Sequence, residues 1–195
     1  MLKRFVLLLS ALVLTACSQG PSKAPFNGTD ITGADYARGF ALTDHTGQKR
    51  ALADYRGKAV AVFFGYTQCP DVCPTTLSTM AEVMRQLGPD ADRMQVLFVT
   101  VDPERDTQAL LAEYVPLFDP RFVGLYGDLE TTAAVAKDFR VFYRKAGDTS
   151  GSTYTVDHSA GTYAYDPQGR LRLYYKHGEQ ADRITADMRR LLAGE

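Results

Sequence analysis

Two apolar runs, Ala59 to Tyr66 (AVAVFFGY) and Gln95 to Val101 (QVLFVTV), constrain the fold of this chain more than any other feature. A strand that is apolar on both faces must be covered on both faces, so each run reads as a central strand of a sheet flanked by helices. Between them, Thr75 to Leu87 carries Leu77, Met80, Val83, Met84 and Leu87 at helical spacing. The result is a strand-helix-strand unit.

The remaining segments extend this pattern on both sides. Phe40 to Leu42 and Lys49 to Leu52 flank Asp44, His45, Thr46 and Gly47, which predicts an N-terminal β-hairpin with Gly47 free to take positive φ. After the second apolar run, the turn from Asp102 to Thr107 predicts a cap for a helix over Ala109 to Phe118. Phe122 to Tyr126 reads as a short strand, and Asp128 as the cap of a helix from Leu129 to Phe139 with Leu129, Ala133, Ala136 and Phe139 on one stripe. Val141 to Arg144 is a further strand candidate. Tyr163 to Tyr165 and Arg170 to Tyr175 flank the turn Asp166 to Gly169 and should pair as a hairpin. A last helix begins near Ala181, with Ile184, Met188, Leu191 and Leu192 inward. The fold class is therefore α/β, a mixed sheet flanked by helices with an N-terminal β-hairpin.

Ahead of this domain, Lys3 and Arg4 followed by the apolar run Phe5 to Leu14 make a secretory signal that is too short to span a bilayer. It ends in Leu14, Thr15, Ala16 and Cys17, which resembles the bacterial lipobox. That resemblance implies a signal peptide over residues 1–16 and lipid attachment at Cys17; ordinary cleavage with Cys17 left free is the alternative. Ser18 to Gly39 is rich in Gly, Pro and Ser without periodicity, so residues 17–39 read as a lipid-anchored flexible linker and 40–195 as one folded domain. A formal net charge of −1 and the lack of a long basic run argue against nucleic acid as the partner.

The chemistry concentrates in CPDVCP, where Cys69 and Cys73 stand four positions apart at the exit of the first apolar strand. Apart from Cys17 they are the only cysteines. Each precedes a proline, which biases its backbone towards extended conformations, and Pro70 with Asp71 suits the centre of a turn that folds the chain back. Pro74 fits the first helical position, placing Cys73 at a helix N-terminus where the dipole favours thiolate. His158, in YTVDHS, is the candidate third partner, with Asp157 and Ser159 beside it to orient the ring. Two thiolates and one imidazole suit Cu(I), with Cu(II) as a second state and one ion per monomer, whereas structural zinc takes four protein ligands. Oxidation to a disulfide would remove both sulfur ligands together. A purely structural disulfide is the competing reading, although so small a loop gains little from closure.

Other residues are set aside. His45 and His177 read as solvated, Met80 and Met84 as core, and Asp102 to Asp106 as caps and solvated loop outside the site. The tyrosines Tyr154, Tyr163, Tyr165, Tyr174 and Tyr175 read as packed sheet residues ahead of a partner surface.

GYTQCPDVCPTTL, VTVDPERDT, FDPRF and YTVDHSAGTYAYDPQGR, in that order, resemble the signatures of the Sco/SenC family of copper-binding proteins that help assemble cytochrome c oxidase. The resemblance runs from about Phe40 to the last helix. It implies a thioredoxin-like fold, copper held by Cys69, Cys73 and His158, and action as a metallochaperone on the binuclear copper site of oxidase subunit II. The signal and the lipobox at Cys17 suggest a place at the periplasmic face of a bacterial membrane, the inner ahead of the outer, and a periplasmic copper donor is a candidate further partner. Gly161 and Ala164 are smaller than the family pattern leads one to expect. A thiol-disulfide reductase that keeps the oxidase cysteines reduced and a redox-sensing module stay open beside the chaperone, so enzymatic activity is undecided here. Ordinary thioredoxin-type enzymes use C-x-x-C, one residue shorter, and the peroxiredoxin pattern fails because Tyr66 and Pro70 occupy its threonine position.

Overall fold

The computed structural model describes residues 24–149, 151 and 153–195. The expected signal peptide, Cys17 and the first part of the expected linker lie outside the described residues. In chain order the elements are β1 (Thr29–Asp30), β2 (Ala41–Asp44), β3 (Lys49–Ala51), β4 (Ala59–Gly65), α1 (Val72–Leu87), β5 (Met94–Thr100) and α2 (Gln108–Tyr114). They continue with β6 (Val123–Tyr126), α3 (Leu129–Asp138), β7 (Tyr143–Ala146), β8 (Thr155–His158), β9 (Thr162–Tyr165), β10 (Leu171–Tyr175) and α4 (Ala181–Leu192).

Eight strands form one sheet in the order β1-β10-β9-β4-β5-β6-β2-β3, with β4, β5 and β6 parallel and the outer pairings antiparallel. Every residue of β4 and β5 is buried, as their two-sided apolar character requires. Each large apolar side chain placed there contributes roughly 1.5–3 kcal/mol against exposure. α1 and α4 pack together against the sheet, α1 through Leu77, Met80, Val83, Met84 and Leu87, and α4 through Ile184, Met188 and Leu191. The expected thioredoxin-like arrangement, a mixed sheet flanked by helices with an N-terminal hairpin, is borne out. β7 and β8 form a separate two-stranded sheet in which Tyr143 faces His158 across the ladder.

Several local expectations are corrected. The segment read as flexible linker is packed from Ala24 onward: Thr29 and Asp30 pair with β10, Ala37 is buried, and Asp187 of α4 accepts hydrogen bonds from the Asn27 and Gly28 amides. Composition could not show this, because a two-residue strand has no periodicity and its partners lie far along the chain. α1 begins at Val72 with Asp71 as its N-cap, so Cys73 is already helical and Pro74 sits in the first turn. Proline costs little there, because amides of a first turn have no intrahelical acceptor to lose. α3 turns Thr132, Val135 and Ala136 inward, with Phe139 beyond it, while Leu129 and Ala133 face solvent.

Candidate metal centre

β4 delivers the chain to the site and α1 carries it away. At the end of β4, Gly65 lies directly under the sulfur of Cys73: a Cβ there would stand 2.7 Å from Cys73 Sγ, 2.9 Å from the Phe98 ring and 3.0 Å from the Phe63 ring. Only hydrogen fits. The chain then loops through Thr67 to Cys69, whose Sγ accepts the Cys73 amide at 3.3 Å. That bond satisfies one of the otherwise unpaired donors at the start of α1.

His158 arrives from the other side, at the end of β8. Its Nδ1 lies 3.0 Å from the Ser159 carbonyl. A carbonyl only accepts, so Nδ1 carries the proton and Nε2 presents its lone pair to Cys73 Sγ, 3.4 Å away. The ring sits between the edges of Tyr66 and Phe63, at centroid distances of 5.9 and 6.1 Å. Burial pushes the imidazole below its ordinary value, with the Ser159 carbonyl pulling the other way, which favours the neutral ring that a metal needs.

One ligand atom from each of Cys69, Cys73 and His158 lies within 4.8 Å of the others. Both thiols are free, Cys73 buried and Cys69 half-buried. Beside them a cleft of about 340 Å³ opens to solvent between Tyr66, Cys69, Pro70 and the β8 residues Val156 and His158. Burial, with the Cys69 sulfur close by, pushes the Cys73 thiol well above its ordinary value. Burial thus acts against the thiolate that the helix N-terminus was expected to favour at Cys73.

Of the acidic turn read as solvated, the two aspartates are instead buried, while Glu104 is exposed. Asp102 and Asp106 are 2% and 1% exposed. Asp106 accepts hydrogen bonds from the Thr67 amide and hydroxyl and from the Thr100 hydroxyl, so it pins the loop that bears Cys69. Asp102 pairs with Arg105 and accepts the Tyr154 hydroxyl at 2.9 Å. The available signal was position, since acids that directly follow a buried strand can turn back into it. His45 also departs from expectation: it is half-buried, and its Nδ1 accepts the Gly124 amide of β6 at 3.0 Å. His177 is exposed, as expected, with its Nδ1 3.2 Å from the Thr76 hydroxyl. Met80 and Met84 are core residues.

The sheet, the returning loop and the cluster together define a thioredoxin-like domain bearing a soft-metal site of two sulfurs and one imidazole nitrogen. Residues 28–193 match the family SCO1/SenC, and the chain belongs to that family. It is 44% identical over 156 residues to the protein SCO2 homolog, mitochondrial, of Bos taurus, a match covering 79% of this chain and 59% of that protein. The chain thus spans about three fifths of the length of the curated relatives it matches. Among solved structures, Bradyrhizobium japonicum ScoI with copper bound superposes with a TM-score of 0.72 at 38% identity, covering 84% of this chain and 98% of that one. Apo Sco1 from Thermus thermophilus gives a TM-score of 0.77 at 39% identity, covering 87% and 99%.

Proposed function

We propose that this protein is a copper metallochaperone that carries one copper ion on Cys69, Cys73 and His158 and delivers it to the binuclear copper site of cytochrome c oxidase subunit II. The observation that carries this reading is the convergence of two thiol sulfurs and an imidazole nitrogen within 4.8 Å beside an open cleft. Three soft donors suit Cu(I), and they leave room for an incoming ligand from a recipient. Cys73 holds its proton until the ion arrives, so loading displaces protons and weakens as the pH falls. At His158 burial disfavours the charged ring, and Nε2 already faces the Cys73 sulfur. Cys17, acylated, would hold the protein at the periplasmic face of a bacterial membrane.

The test is copper stoichiometry on the full chain, anaerobic and reduced, against the same protein oxidised. One ion per monomer is expected in the reduced form and almost none in the disulfide form. Full binding by Cys69→Ser or Cys73→Ser would remove that residue from the site. A fatty-acid label on wild type that is absent from Cys17→Ala checks the anchor.

The proximity of two free thiols also favours a second reading, a thiol-disulfide reductase acting on the oxidase copper-site cysteines. Oxidase activity lost in a deletion strain and restored by added copper supports delivery. Restoration by a thiol reductant alone supports reduction.

A further inference from the structure

His158 sits on a hairpin that is not part of the eight-stranded sheet, so among the described residues no strand ladder fixes its distance from the cysteine loop. Besides the approach of His158 to Cys73 and the Tyr66 side chain against the Val156 backbone, polar ties across this gap gather on the segment after β5. Asp102 accepts the Tyr154 hydroxyl, and Glu104 pairs with Lys145 of β7. Arg105 touches both sides at once. Its Nη1 donates to the Tyr154 carbonyl at 2.8 Å, four residues before His158, and to the Gln68 side-chain oxygen at 3.1 Å, one residue before Cys69. Its Nε meets Asp102, and its guanidinium lies 3.6 Å from the centroid of the Tyr154 ring and 5.6 Å from that of Tyr66.

We propose that Arg105 is a positioning residue for the metal centre, a strut that holds the histidine-bearing hairpin in register with the cysteine-bearing loop. The chemistry demands arginine. A planar fork can serve Asp102, Gln68 and the Tyr154 carbonyl together while stacking on an aromatic face, whereas the point charge of lysine cannot. The Arg105–Asp102 pair is almost fully buried, with side chains 9% and 1% exposed. A pair so desolvated adds little net stability, which fits a role in placement.

The affinity arm of the test rests on the copper reading; the metal-free arm does not. In the full chain, Arg105→Gln should weaken Cu(I) binding about 10- to 100-fold, the range expected when a residue that orients a ligand is lost. Because the loss acts through His158, adding Arg105→Gln to His158→Ala should cost no more than His158→Ala alone. Arg105→Lys should remain defective. In the metal-free protein, the ¹⁵N resonances of the His158 imidazole should move in Arg105→Gln towards those of an unrestrained ring. Gln68→Ala, at an exposed position that folding tolerates, should cause a smaller change of the same kind. Unchanged affinity and unchanged resonances in these variants overturn the proposal, as do multiplicative losses in the double variant or full rescue by lysine. If wild type takes up no copper, the copper reading fails while the imidazole resonances still decide the role of Arg105.

Discussion

Gly65 governs whether Cys73 can occupy its place beneath the cleft. Any side chain there meets the sulfur and two phenyl rings, so Gly65→Ala should cost about 1–3 kcal/mol in stability and also push Cys73 out of line with His158. A urea melt and a copper titration on the same variant should both report loss. Asp44 offers a test of pH dependence away from the metal. Burial alone would raise its carboxyl, but the Thr46 hydroxyl, the Arg50 guanidinium and the Thr46 and Gln48 amides outweigh that and hold it at about 2. A depressed carboxyl adds stability that is complete above its ordinary range near 4 and disappears as the pH falls towards 2. Asp44→Asn should therefore destabilise the protein by roughly 2 kcal/mol at neutral pH, and the gap to wild type should narrow over that acid window in denaturant melts. Asp44 could be read from sequence as a turn residue beside Gly47. The contact between Gly65 and Cys73 could not, because it exists only once the loop has folded back over the strand.

At the level of elements, the sequence was informative wherever one periodicity ran long enough to dominate. β4, β5, α1 and α4 show this, since their apolar spacing alone specifies which face is buried. Caps were legible too: Thr107 accepts the Leu110 amide and Asp128 accepts the Thr131 amide, as their positions suggest. β8 was not, because Thr155 to His158 is a short strand whose ladder partner among the described residues is another short strand. The small residues after His158 also find their reason in the fold. A Cβ on Gly161 would lie 2.0 Å from the Tyr174 hydroxyl oxygen of β10, so the tyrosine fills the space that a larger residue would take. Gly161→Ala should lower the melting temperature, and Tyr174→Ala made alongside it should recover part of the loss. Strictly additive effects in that double-mutant cycle would show that the two positions do not share one space.

For the molecule as a whole, copper should act as a stabilising ligand of one redox form only. At free copper 100-fold above the dissociation constant, the reduced protein should gain about 2.7 kcal/mol, and the disulfide form should gain nothing. Paired thermal melts read this directly. The segment from Ala24 to Asp30 has its own whole-molecule role. Asp187 binds its Asn27 and Gly28 amides, and Arg190 holds the Ala24 and Pro25 carbonyls with its guanidinium over the Phe26 ring. Asp187→Ala should strip these contacts, and limited proteolysis should then cut near residues 24–30 sooner than in wild type. Arg190 lies in the last turn of α4, and Arg93, just before β5, binds the Leu192 carbonyl at that same end of the helix. The cysteine loop departs from the finish of β4, which runs parallel to β5, so Ala24 and the metal cluster occupy opposite poles of the sheet. The chain from Ala24 to Asp30 is thus secured by α4 and the short β1 strand, at the pole of the sheet away from the metal cluster.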